Sequence, residues 1–103
     1  MKIYNLNNSQ KVENPHNVDV KNFIKNEKVI VNVLTLEAKQ SLKKHSSPVN
    51  VIFYILEGEG IFESNDEKIT VVKDTAIESF AGDLHCFYNE SNSVLKILVI
   101  KLQ

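Results

Sequence analysis

The run "VNVIFYIL", Val49–Leu56, is almost unbroken in its apolar character and stops at a turn, Glu57-Gly58-Glu59-Gly60. A short run rich in β-branched and aromatic residues reads as a strand covered on both faces, not as a helix with one wet side. Runs of the same kind surround it. "KVIVNVLTL" (28–36) precedes it, and "GIFES" (60–64), "EKITVV" (67–72), "TAIES" (75–79), "HCFYN" (85–89) and "SVLKILVIKL" (93–102) follow. The connections carry turn chemistry. Asn65 and Asp66 predict a hairpin, Gly82 within "FAGDL" can take a positive φ, and "NESNS" marks a further turn. Five or more short strands, brief connections and no long helix predict an all-β sandwich or barrel.

The length of 103 residues fits one domain. A first segment, 1–27, is polar and asparagine-rich and is expected as an arm or strand packing on a barrel formed by 28–103. Within it, "DVKNFIKNE" (19–27) has an apolar spacing that does not decide between a helical turn capped by Asp19 and an extended segment.

Charge removes several function classes. The net charge is −1 and all twelve basic residues are lysine. No broad attraction to nucleic acid or to a membrane is expected, and there is no guanidinium to grip phosphate in two-pronged fashion. Cys86 is the sole cysteine, which cannot close an internal disulfide and fits a reducing cytoplasm. No apolar signal core and no membrane-length apolar run is visible. The N-x-S sites at Asn7 and Asn89 are therefore expected to be accidental.

Two local patterns resemble those of the cupin superfamily, over about residues 30–102. "HSSPVNVIFYILEGEG" (45–60) lies over the first cupin motif. His45 falls on the first histidine, Pro48 on a frequent proline, and Phe53–Gly58 on the strand and turn. "FAGDLHCFYN" (80–89) matches the second motif in Gly82, His85 and Asn89. The resemblance implies an antiparallel jelly-roll barrel, the double-stranded β-helix. In metal-binding cupins two histidines and a glutamate from the first motif join a histidine from the second. Here Ser47 replaces the second histidine and Val51 the glutamate, so His45 and His85 are the ligands left.

Side chains at i and i+2 of a strand share a face. His45, Ser47, Val49, Val51, Phe53 and Ile55 are thus expected to line one side of the interior, polar at one end and apolar in the middle, with His85 arriving from another strand. A firm metal site takes three or four protein ligands. Glu59, Glu78 and Cys86 are the candidates for a third by residue type, but alternation turns Cys86 away from His85. His16, in a polar loop beside Pro15, is expected in solvent. The residues of "SFAGDLH" contain serine, aspartate and histidine without a nucleophile elbow, so no triad is read there.

Three functions follow. In the first, a small organic ligand occupies a pocket formed by His45, Ser47, Val51, Phe53, His85 and Phe87, with the imidazoles as hydrogen-bonding groups. In the second, His45 and His85 hold one divalent transition metal (zinc, nickel, iron, manganese or copper) in an oxygenase or isomerase. In the third, the site is vestigial and the protein is a structural dimer. The apolar surface of "KVIVNVL" and "VLKILVIKL" exceeds what one thin core needs, which predicts a homodimer.

Overall fold

Asn65 and Asp66 have φ of 49° and 68°. That is the left-handed pair a two-residue hairpin requires, and it closes β5 (Glu59–Ser64) on β6 (Glu67–Val72) with Ser64 opposite Glu67. The computed structural model describes all 103 residues. It has no α-helix, only a 3₁₀ turn at Leu6–Asn8.

The remaining strands are β1 (Gln10–Lys11), β2 (Asp19–Lys25), β3 (Val29–Leu36), β4 (Val51–Glu57), β7 (Ala76–Ser79), β8 (His85–Tyr88) and β9 (Leu95–Leu102). One sheet runs β1-β2-β3-β9-β4-β7 and the other β6-β5-β8, and every pairing is antiparallel. The fold is all-β, as the strand pattern predicts, and is the jelly roll that the cupin resemblance implies. The undecided segment from Asp19 is strand β2, bonded to β3 with Val20 opposite Leu34. A bulge between Asn22 and Ile24 interrupts its register.

The two sheets share one apolar interior. Val51, Phe53 and Ile55 of β4 alternate inward, as do Leu95, Ile97 and Val99 of β9. Phe62 and Phe87 meet them from the second sheet, and the rings of Phe53, Phe62 and Phe87 pack with centroids 4.9–5.6 Å apart. Phe87 is fully buried, a contribution of roughly 2–3 kcal/mol from its ring alone.

Gly58 is the corner where the chain leaves the first sheet for the second. Its φ is +85°, and a Cβ there would stand 2.2 Å from the carbonyl oxygen of Val94. Asn89 pins the same end. It is buried, its amide donates to the carbonyls of Leu36 (3.0 Å), Glu37 (3.1 Å) and Ser93 (2.8 Å), and its oxygen accepts from Ser91. The asparagine of the second motif is therefore a structural peg, and its buried amide is closed to the glycosylation its N-x-S context would suggest.

Candidate functional site

His45 lies in the segment leading to β4, and His85 opens β8. The two residues face each other in an isolated antiparallel bridge. His45 N–H donates to the His85 carbonyl at 3.1 Å, and His85 N–H to the His45 carbonyl at 2.9 Å. Directly opposed residues project to the same side of a ladder. The imidazole centroids are accordingly 4.6 Å apart, with the rings nearly perpendicular.

His85 is the inner ring. It is 3% exposed and packs edge-on against Phe53 at 5.1 Å, and its Nδ1 is 3.0 Å from Ser79 Oγ. Burial, and after it the neighbouring His45, pushes its pKa down to about 4. The ring is therefore neutral near pH 7.

His45 is the outer ring and is half-buried. Its Nδ1 is 3.0 Å from the Lys43 carbonyl. A carbonyl only accepts, so Nδ1 carries the proton and Nε2 of the neutral ring is left as an acceptor. This tautomer is assigned from the hydrogen-bond network.

The third histidine is here as well. His16 is half-buried, not solvated as its loop setting suggested, and its ring lies 4.9 Å from that of His45. Its Nδ1 accepts the backbone N–H of Lys43 at 2.9 Å, which leaves Nε2–H of the neutral ring as a donor. Burial first, then His45 and Lys43, lowers its pKa. The loop is shaped for this role by Asn14, whose side chain accepts the N–H of His16 and donates to the carbonyl of Val18.

A cavity of about 500 Å³ opens in front of these rings. Leu34, Leu42, Phe53 and Val99 form its inner apolar wall, and Val12, Pro15 and Val20 close it from the arm and β2. Its polar groups are His16, His45, Asn14, Asn32 and the lysines 43, 44 and 101. Larger grooves of about 900 and 710 Å³ run along the arm, but residues of the arm and β2 line them.

Of the residues named from sequence, His45 and Phe53 line this cavity, and His85 stands behind them against both. Val51 and Phe87 belong to the filled core. Ser47 is buried in the supporting loop, where its Oγ accepts the N–H of Val49 and its carbonyl the N–H of Gly82. The aromatic trio fills the middle of the jelly roll, so the open space lies toward its mouth.

Sequence reasoning missed His16, Lys43 and Lys101. Lys101 had a signal. It continues the inward series Leu95, Ile97, Val99, so alternation alone places it at the mouth. His16 had none, because its neighbour His45 is distant in the chain. Also missed was a polar cluster on the outer side of β5 and β8. There Glu63 accepts from Tyr88 Oη at 2.6 Å and from the thiol of Cys86 at 3.8 Å, and pairs with Lys44 Nζ at 3.1 Å. The Tyr88 hydrogen bond, then Lys44, holds the carboxyl of Glu63 below its ordinary range. The cluster fastens the His45 loop to the second sheet.

The cupin-domain family profile matches residues 32–101. The chain belongs to the cupin family. Among solved structures, a predicted oxalate decarboxylase from Thermotoga maritima is 21% identical with a TM-score of 0.86, over 99% of this chain and 100% of that one. The polyketide cyclase RemF from Streptomyces resistomycificus is 18% identical with a TM-score of 0.87, over 99% and 79%. KdgF from Halomonas sp. is 12% identical with a TM-score of 0.85, over 100% and 94%. At these identities the likeness is one of fold. No curated protein sequence matches this chain.

Cupins often bind a metal, which requires a converging set of donors. No group of three or more His, Cys, Asp or Glu side chains is gathered as metal ligands. Val51 is apolar and buried where the family's glutamate stands, and Glu59 and Glu78 are exposed. The thiol of Cys86 turns to Glu63, and Nδ1 of His16 is taken by Lys43 N–H. Two adjacent imidazoles without a third ligand do not fit a firm metal centre, and no chemistry is routed through one.

Proposed function

We propose that this cupin binds a small organic molecule in the cavity at the mouth of its jelly roll. The observation that carries this reading is the cavity itself. Its inner wall is apolar, and polar groups with assigned hydrogen-bonding roles converge on it, the acceptor Nε2 of His45 and the donor Nε2–H of His16. Small-molecule sites have this composition and this size range. The ligand sits against Phe53, Leu34 and Val99 and is oriented by the two outer imidazoles. His85, buried and neutral, supports His45 and does not touch the ligand.

The protein works in the cytoplasm as a homodimer. In support, the side of the first sheet away from the core carries Ile52, Tyr54, Leu98 and Ile100 on adjacent strands, all half-buried. Cys86 is a free, fully buried thiol, compatible with a reducing compartment.

The test is a ligand-observed NMR screen of small aromatic and aliphatic compounds against the wild type and Leu34→Trp, whose indole would occupy the cavity. Binding to the wild type that disappears in a folded Leu34→Trp protein is expected. Binding that persists in the filled variant would place the site elsewhere.

A further inference from the structure

The charges around the cavity are one-sided. Lys43, Lys44 and Lys101 line it beside the imidazoles of His16 and His45, and no aspartate or glutamate does. The imbalance is local, because the whole chain carries 13 acidic residues against 12 lysines. Lys44 is already paired with Glu63. The only other ion pair of the structure joins Lys11 and Asp19, so Lys43 and Lys101 have no carboxylate partner.

Lys101 is the informative one. It follows Leu95, Ile97 and Val99 on the inward face of β9, lies opposite Val51 and Ile30 on the flanking strands, and is half-buried. A lysine that shares a face with core residues but has no counter-charge is costly to keep unless a ligand supplies one. The lysine stem can lie along Val99 while the ammonium reaches the cavity. His16 adds a donor of fixed tautomer, because its Nδ1 is taken by the Lys43 N–H.

We infer that the ligand is a small organic anion, an apolar body bearing a carboxylate, whose charge is met by Lys101 and Lys43 and by the Nε2–H of His16. This rests on the cavity being a ligand site, and it names the class of ligand. The apolar body lies on Phe53, Leu34 and Val99, and the carboxylate is directed to the cationic mouth. A cation or a strongly basic amine would be repelled by the same groups.

The experiment uses matched probes of one shape and different charge. Benzoate, benzamide and benzyl alcohol, with the corresponding cyclohexane series, are titrated into the full-length protein and followed by ¹H–¹⁵N NMR and calorimetry. The carboxylate of at least one series is expected to bind ten-fold or more tighter than its neutral partners, with shifts at Phe53, His45 and Lys101. In Lys101→Met, which keeps the stem, the preference should fall to about three-fold or less, and Lys43→Met should reduce it further. Lys73→Met, outside the cavity, should leave it unchanged. Neutral partners that bind as tightly as the carboxylates would overturn the anion assignment while leaving the cavity as a ligand site. A carboxylate preference untouched by both cavity variants would also overturn it. If no probe of either series binds, the ligand-site reading falls first.

Discussion

His45 and His85 exchange both of their backbone hydrogen bonds, and this places two imidazoles, forty residues apart in sequence, with centroids 4.6 Å from each other. The contact is made by main chain. The ring pair therefore needs no metal to bring it together, and the backbone bridge should outlast substitution of either side chain.

Gly58 and Gly82 both have positive φ, near +85°, but differ in surroundings. A Cβ on Gly58 would strike the Val94 carbonyl, and one on Gly82 would meet nothing within 4 Å. Gly58→Ala should cost about 3 kcal/mol or more, from strain and overlap together. Gly82→Ala should cost about 1 kcal/mol, from strain alone. Urea denaturation of the two variants measures the difference, and equal losses would contradict it.

Asn89→Ala should lower stability by about 2–3 kcal/mol, because the carbonyls of Leu36, Glu37 and Ser93 lose their shared donor. The same denaturation series reads this. Ligand binding should change little at temperatures where the variant is folded.

The pH dependence of stability should carry the signature of His85. In the unfolded chain its imidazole takes up a proton near 6.5, and in the folded protein only near 4. Between these values the unfolded state holds more protons, so this contribution is complete above 6.5 and is lost as pH falls toward 4. The full span corresponds to about 3 kcal/mol. The wild type should therefore lose more stability than His85→Gln between pH 7.5 and 4.5, measured by urea midpoints. Parallel losses would show that His85 is not the responsible group.

The homodimer should be visible in light scattering at micromolar concentration. Leu98→Lys and Ile52→Asp, on the outer face of the first sheet, should give a monomer with unchanged β-type circular dichroism. A wild-type monomer at those concentrations, or variants that stay dimeric, would reject that face as the contact.

Much of the architecture was legible because alternation and turn chemistry are local. "VNVIFYIL" became β4 with Val51, Phe53 and Ile55 inward, and Asn65-Asp66 became the tight turn its residue types imply. The segment from Asp19 could not be decided, since its pairing with β3 is a tertiary fact and its bulge breaks the period. The site was half legible. The spacing around His45 and His85 pointed to one interior, and their rings touch. The open volume was not legible. Phe53, Phe62 and Phe87 fill the middle, and His16 reaches His45 only because the arm folds back over the mouth.

That arm contributes Val12, Asn14, Pro15 and His16 to the cavity, yet none of them belongs to the core cluster. One wall of the chamber is thus detachable in design terms. Residues 12–16 can be rewritten to reshape that wall without repacking a single buried aromatic, so the chamber can change its outline here while the jelly roll beneath it stays as it is.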